Sequence, residues 1–586
     1  MNTNRYKKTN GKTVAEDNGF VTKSLISIIA LMLALVLTLT SCGSTGSTGS
    51  SGDTGSITTV STEYNAASKS EMFTDRDLSG DYDESSAVKV TLSGTSAEAS
   101  STSGISISGS TITITAEGTY IFSGSLSDGQ IIVEADDADK VQIVLDGASI
   151  TSKTSAAIYV KSADKVFVTT AKGTDNTLAN GGSFTADGDT NIDGAVFAKD
   201  DITFNGSGSL TISSPAGHGI VGKDDVKLAG GTITIEAANH GVQANDSVRV
   251  AEAAITITAD TKDGIHVSDD ADEEEGTTSD SFFYMADGSL TISAGDDGIH
   301  ADAEAKIEGG AIDVSKSYEG IEALAINVSG GDIKVAASDD GFNAAGGSSS
   351  SDNTFGDDDW FGGKGGGFSD GGNDGQINIS GGNIYIQAGG DGVDSNGSVA
   401  ISGGYTVVCG PTQGDTSVLD FNSTGTITGG TFIGTGGAGM AQSFSSAEQG
   451  LIAVSVGNQS AGSSVTLKDA DGNTIAEVTP ELDYAVVYIS TSDMSQGSTY
   501  DLTAGSYSES ITLSDYIYSN LTGGMQGGGL GGGGPRGGMM GPNSGETNGQ
   551  KNGQMPEGGR GGMHGGPGSN GSTGSTDANT GATMQS

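Results

Sequence analysis

Positive charge is what this 586-residue chain has least of. Its 26 lysines and arginines stand against 74 aspartates and glutamates, for a net charge of −48 and a pI near 4.1. Phosphate backbones are held by clustered Lys and Arg, so nucleic acid is excluded as a partner. Between Gly80 and Met440 the only arginine is Arg249, which leaves a bound anion little to pair with unless a cation bridges it. Aromatic residues make up 5%, so any core has to be laid down in Ile, Val, Leu, Ala and Thr. Proline is scarce as well, 7 residues beside 98 glycines, and tight corners therefore fall to glycine. Beyond an N-terminal apolar run, no stretch keeps the 3.6-residue apolar period of a helix. A P-loop, a dinucleotide fingerprint, a Gly-x-Ser-x-Gly elbow and a helix-borne zinc histidine pair are all missing.

What the chain has instead is a recurring phrase: an acid or histidine, a glycine, then an aliphatic or aromatic residue. It reads His218-Gly219-Ile220, His240-Gly241-Val242, Asp263-Gly264-Ile265, Asp297-Gly298-Ile299, Glu319-Gly320-Ile321, Asp340-Gly341-Phe342 and Asp391-Gly392-Val393. Outside two long intervals the phrase returns about every 22 residues, which marks stacked supersecondary units. That period is too short for a βαβ unit of about 30 residues. It suits one coil of short strands and turns, as do the alternating runs such as ISISGSTITI (105–114) and KVQIVLDGASI (140–150). The fold class expected is all-β, a right-handed parallel β-helix from about Val88 to Met440. Ile220, Val242, Ile265, Ile299, Ile321 and Val393 should point inward as one ladder. Paired glycines at 230–231, 309–310, 330–331, 381–382, 403–404 and 429–430 mark another corner.

Equivalent positions of stacked coils lie at the strand spacing of roughly 4.8 Å. The phrase therefore builds a column in which Asp263, Asp297, Glu319 and Asp340 are successive neighbours, with Asp391 further on. Three residues later comes a second column: Gln243, His266, His300, Glu322, Asn343 and Asp394. Asp296, Asp302, Asp339, Asp269 and Asp270 flank the same turns. Carboxylates this close repel, and some must be protonated or share cations. Asp263, Asp296, Asp297, Asp302, Glu319, Glu322, Asp339, Asp340, Asp391 and Asp394 are thus candidate metal ligands. Oxygen ligands without thiols or clustered imidazoles suit calcium better than zinc. Four of the five histidines, His218, His240, His266 and His300, fall in the two columns. The alternative for any single phrase is an ordinary Asp-Gly turn serving a positive φ.

In chain order, Arg5, Lys7, Lys8, Lys12 and Lys23 precede an apolar run from Leu25 to Leu39. The run is shorter than the ~20 residues of a spanning helix and reads as a secretory signal over residues 1–41. It ends in Leu39-Thr40-Ser41-Cys42-Gly43, which resembles a bacterial lipobox. That resemblance implies cleavage before Cys42, lipidation of its sulfur, and a membrane anchor placing the chain on the outer face of the cell membrane. Residues 42–62 are a Gly/Ser linker. With Cys42 acylated, Cys409 has no disulfide partner and reads as a small buried residue. Coils are assigned to residues 63–440, with Thr74–Leu78 capping the first of them. Two insertions, 269–286 and 346–375, interrupt them. The second carries Trp360 and Phe361, exposed aromatics of the kind that pack on sugar rings, although Gly-rich loops are also often disordered. Residues 441–521 alternate again and read as a small β cap over the open edge, and 522–586 as a disordered tail.

The phrases TDRDLSGDYD (74–83), DGQIIVEADDADKVQIVLDGASI (128–150), AKDDITFNGSGSLTI (198–212), GGDGVDSNGSVAISGG (389–404) and GPTQGDTSVLDF (410–421) together resemble the carbohydrate-binding β-helix lipoproteins of clostridia, related in fold to calcium-dependent pectate lyases. The resemblance implies a right-handed parallel β-helix, bound calcium, and binding of cellulose and acidic, polygalacturonate-like glycan, with calcium at Asp263, Asp297, Asp340, Asp391 and Asp394. It leaves three functions in play. A surface polysaccharide-binding monomer accounts for the anchor, the acidity and the columns. A lyase needs in addition a base to take the proton that calcium acidifies, for which Lys262, Lys306 and Lys316 are the candidates, although lysines so scattered are ordinarily solvated. A structural or adhesive surface protein needs only the repeats.

Overall fold

In this computed structural model residues 69–269, 280–345, 375–411, 414 and 416–521 are described. The leader with Cys42, the linker, the tip of the first insertion, the loop with Trp360 and Phe361, and the tail lie outside them. Lys69–Met72 forms a short helical turn. From Phe73 onward the described chain is strands joined by turns, with one short helix, and most pairings are parallel between a strand and the third strand after it. Three ladders result.

The first ladder carries the acid-glycine phrases. Its residues run Ile112, Ile131, Ile158, Val196, Ile220, Val242, Ile265, Ile299, Ile321, Phe342, Val393 and Leu419, each in register with the next. All are fully buried. Branched side chains stacked at strand spacing exclude water from one another, each contributing roughly 1.5–3 kcal/mol on burial. The second ladder passes through Lys165–Thr170, Ile202–Gly206, Asp225–Leu228, Ser247–Val250 and Phe282–Met285. The third passes through Ser209–Ser214, Thr232–Ala237, Ala254–Ala259 and Ser289–Ala294. The inward ladder expected from the phrase is present in the expected register.

The phrase glycines are forced by crowding rather than by backbone sign. A Cβ on Gly320 would run into the Gly341 carbonyl and a methyl of Val335 from the third ladder, and Gly219, Gly241, Gly264, Gly298, Gly341 and Gly392 meet the same two kinds of neighbour. None of them has a positive φ, whereas the second glycine of each paired corner does, from 76° at Gly430 to 92° at Gly331. The phrase is therefore not an Asp-Gly turn of the left-handed kind.

Two expectations need correction. Phe282–Met285, read as part of an insertion, is a strand of the second ladder, pairing with Ser247–Val250 on one side and with residues 304–307 on the other. Alternation alone could not separate an apolar run inside a long interval from a loop. Thr74–Leu78 does not cap the first coil. Its short helix Asp75–Leu78, opened by a Thr74–Asp77 capping box, lies across the outer side of the second ladder. There Asp77 reaches Lys165 (2.7 Å) and Thr203 (2.7 Å), the Asn205 amide donates to three carbonyls of residues 76–79, and Phe73 meets the Tyr284 ring.

At the other end, Tyr484–Ser490 pairs antiparallel with Thr431–Gly436 and with Leu451–Gln459, so the last strand of the third ladder keeps no open edge. A separate antiparallel sheet of Val465–Lys468, Thr474–Val478, Thr499–Ala504 and Tyr507–Thr512 covers it through a second apolar cluster that includes the buried Cys409.

Candidate functional site

The short strands of the first ladder alternate in, out, in, so one residue per repeat faces outward. In register these are Tyr159, Phe197, Val221, Gln243, His266, His300, Glu322, Asn343, Asp394 and Asp420. The strip changes from aromatic to imidazole to carboxylate along the stack. Beside it runs the phrase column. There the N–H of each phrase glycine from Gly219 to Gly341 bonds the carbonyl of the acid or histidine one repeat on, as from Gly264 to Asp297 and from Gly298 to Glu319. One carboxylate oxygen is also committed to the chain: Asp297 N–H donates to Asp263 Oδ1 (3.0 Å) and Glu319 N–H to Asp297 Oδ1 (3.0 Å). Asp340 and Asp391 receive the N–H groups of Asp391 and Ser417 in the same way. The side chains thus order the turn and keep a second oxygen for other work.

The predicted ligands divide into unlike groups. In the middle, four imidazoles stack: His218 on His240 (ring centroids 5.0 Å), His240 on His266 (4.3 Å) and His266 on His300 (4.9 Å). The row passes diagonally from the phrase column to the outward strip, so the expectation that imidazoles are not clustered is wrong. Asp263 Oδ2 lies 2.7 Å from His266 Nδ1 and 3.2 Å from His240 Nδ1. Burial opposes charge on Asp263, but hydrogen bonds to the two histidines hold its carboxyl well below the usual range. His240 is held below its ordinary value by burial, against the pull of Asp263. His300 places Nδ1 2.6 Å from Glu322 and Nε2 3.2 Å from Asp302. Burial works against its charge, yet Asp297, Asp302 and Glu322 raise it well above the ordinary imidazole value. Asp302 is thereby spent on His300.

Further along, oxygen ligands stand alone. Asp340, Asp391 and Asp394 each present an oxygen within 4.8 Å of the others. Burial, then repulsion from neighbouring acids, raises Asp340 to about 6 and Asp391 and Asp394 to about 7. Glu319 is pushed to about 9 by burial and by Glu322 and Asp297, and Asp297 to about 6 by burial despite His300. Asp296 joins Asp263 and Asp297 in a further cluster and is raised by burial and Asp263. Asp339 is not among these groups; it holds the Tyr318 hydroxyl, raising that phenol to about 12.

Two residues of the site, and the bonding of a third, escaped the sequence reading. Asp420 follows Asp394 in the strip, but its repeat reads Ser417-Val418-Leu419, without the phrase glycine. Tyr318 is 49% exposed beside the acids, and one aromatic before Glu319-Gly320 gave no periodic signal. Asn343 donates to Glu319 (2.8 Å), while its buried Oδ1 has no hydrogen-bond partner. The lysine candidates also need revision: Lys306, expected to be solvated, is 3% exposed, paired with Glu308 and packed on Tyr284. Its register opposite Tyr284 places it in the second ladder, buried rather than facing water.

Residues 108–356 match the model of a family described as "Carbohydrate-binding domain-containing protein". A protein of that description from Acetivibrio thermocellus is 37% identical over 151 residues, which are 25% of this chain and 53% of the relative. The match thus spans about half of the relative's length. A solved chain described as "Structure of the polysaccharide lyase-like protein from C. thermocellum, Gadolinium derivative" is 32% identical, with a TM-score of 0.36, covering 43% of this chain and 94% of that one. The family match takes in His218 to Asp340 and stops short of Asp391, Asp394 and Asp420.

Proposed function

We propose that this chain is a polysaccharide-binding protein of the cell surface, a right-handed parallel β-helix anchored through Cys42, which holds acidic glycan through calcium without cutting it. The match of residues 108–356 to a carbohydrate-binding family supports a polysaccharide as ligand. Stacked strand-turn-strand repeats favour the β-helix, and right-handed winding is the sense twisted parallel strands take in their crossovers. The observation that carries the calcium reading is the acid end of the strip. Asp340, Asp391 and Asp394 converge, and Asn343 Oδ1, in register between Glu322 and Asp394, is buried without a donor. An all-oxygen set of carboxylates and an amide carbonyl fits a hard cation. When bound there, calcium supplies the positive charge to which a uronate carboxylate can be attached.

The chain's own residues do the rest. Asp340 and Asp391 keep the turn ordered through their backbone bonds, and Tyr318 offers an exposed ring on which a sugar face can pack. Trp360 and Phe361, outside the described residues, are aromatics of the kind that pack on neutral glycans such as cellulose. Binding without cleavage is supported by two of the basic residues, while Lys262 and Lys316 are exposed and remain the bases that the product assay tests. Arg249 is locked to Asp225 (2.8 Å) in the second ladder, and Lys306 is buried in its pair with Glu308, so neither is presented to the strip.

The deciding experiment incubates the purified chain with polygalacturonate and with cellulose, with calcium or with chelator, and scores retention and unsaturated product. Calcium-dependent retention of polygalacturonate without product is expected, weakened by Tyr318→Ala and abolished by Asp391→Asn with Asp394→Asn. Steady release of unsaturated product would make the chain a lyase instead. Equal retention in chelator would remove calcium from the account.

A further inference from the structure

The imidazole part of the strip has a chemistry that hard-cation binding does not use. Around Asp263 Oδ2 stand two ring nitrogens, His266 Nδ1 at 2.7 Å and His240 Nδ1 at 3.2 Å, and the three residues bring a ligand atom each within 4.8 Å of one another. His240 Nδ1 also receives the Asp263 N–H at 3.2 Å, the long end of hydrogen-bond range. His240 Nδ1 thus faces both the Asp263 N–H and Asp263 Oδ2 at 3.2 Å, and a single proton on it cannot serve both contacts. One cation set between the two ring nitrogens and the carboxylate oxygen would satisfy all three donors at once.

His300 stands in contrast. Both of its nitrogens meet carboxylates, Glu322 at 2.6 Å and Asp302 at 3.2 Å, which satisfies a doubly protonated ring without metal. The two neighbouring clusters look alike in composition and differ in what they lack.

We propose that His240, Asp263 and His266 form a second cation site, selective for a borderline first-row dication of the zinc class and separate from the calcium site at Asp340, Asp391 and Asp394. Two imidazoles and one carboxylate are the donor set that such ions take in preference to calcium. With metal–ligand bonds of about 2.0–2.2 Å, donors in a tetrahedral site lie roughly 3.4 Å apart. The 3.2 Å contact is close to this spacing, and the 2.7 Å contact has to open by about 0.7 Å once its proton leaves. Asp263 is oriented by the Asp297 N–H on its other oxygen (3.0 Å), the kind of support that fixes a ligating carboxylate. The His266 side chain is 19% exposed, which gives an ion its way in. A fourth position stays open to water.

The test titrates the full chain with Zn2+ by calorimetry in millimolar Ca2+, so that the oxygen site is filled, and with Co2+ by visible absorption. One Zn2+ per chain that calcium does not displace is expected, together with the intense visible bands of four-coordinate Co2+. His266→Gln and His240→Gln should each weaken Zn2+ by more than about tenfold, since even losing a ligand's supporting partner costs 10–100-fold. Asp391→Asn should leave it within about threefold. A cooperative melt of each variant without metal confirms that it folds, and the Co2+ bands of the Asp391→Asn chain provide a readout free of the histidine changes. Zn2+ that calcium displaces, or that survives both histidine variants while Asp391→Asn abolishes it, overturns the second site. It would leave the calcium reading standing. Loss of calcium binding with Zn2+ retained would do the reverse.

Discussion

Asp77 is fully buried, and its carboxylate is shared by Lys165 and Thr203, both far along the sequence. Burial alone would raise its pKa, but those bonds hold it at about 2. The unfolded value is about 3.9, so the folded pKa is the lower of the two. The stability this gives is fully present above the unfolded pKa and drains away as pH falls from about 4 toward 2. It is on the order of 2–3 kcal/mol. Asp77→Asn should cost up to about 3–5 kcal/mol at neutral pH, because buried Lys165 loses its nearer counter-charge and keeps only Asp201 at 3.5 Å. It should also flatten the acid limb of stability. Urea melts at a series of pH values between 2 and 6 measure both, and an unchanged acid limb in the variant would mean that Asp77 is not the group responsible.

At the scale of the strand and its corner, two kinds of glycine should fail differently. Gly320 sits under the Gly341 carbonyl and Val335 with an ordinary φ, while Gly457 has a φ of 68° and open space around it. Gly320→Ala should therefore cost at least about 1–3 kcal/mol through overpacking between ladders, and Gly320→Asn more. Gly457→Ala should cost about 1–2 kcal/mol from the left-handed backbone, and Gly457→Asn less, since Asn visits that region more readily. Denaturant midpoints of the four variants check the ordering. Losses of the same size and the same Asn tolerance at both positions would contradict crowding as the reason for the phrase glycine.

For the molecule as a whole, an ion that binds only the folded strip stabilises by mass action, about 2.7 kcal/mol at a hundred times its Kd. Calcium should accordingly raise the melting temperature of the folded chain. Asp391→Asn with Asp394→Asn should remove that response, whereas Asp313→Asn, an exposed acid of the third ladder, should keep it. Identical melts in calcium and chelator would end the idea. The anchor is tested in the cell: Cys42→Ser should abolish fatty-acid labelling and move the protein from the membrane to the soluble fraction. Labelling that persists would place the attachment elsewhere.

The sequence by itself determined what repeats. Ile220, Val242, Ile265, Ile299, Ile321 and Val393 lie at one period with a glycine before each, and a side chain that must stack on its own counterpart writes its position into that period. The acids of the strip were legible for the same reason. What only the tertiary structure decided is whatever depends on neighbours outside the period. The histidine row runs diagonally between two columns, so no single register contains it. Lys306 is buried because Glu308 and Tyr284 meet it on the second ladder, a surface the phrase does not report. Phe282–Met285 rejoins the stack after an interruption, and the lead-in helix finds Thr203 and Asn205 rather than the first repeat. Periodicity is a local record of stacking. It carries no information about which segment crosses the outside of the stack, since that contact is made once and has nothing to repeat.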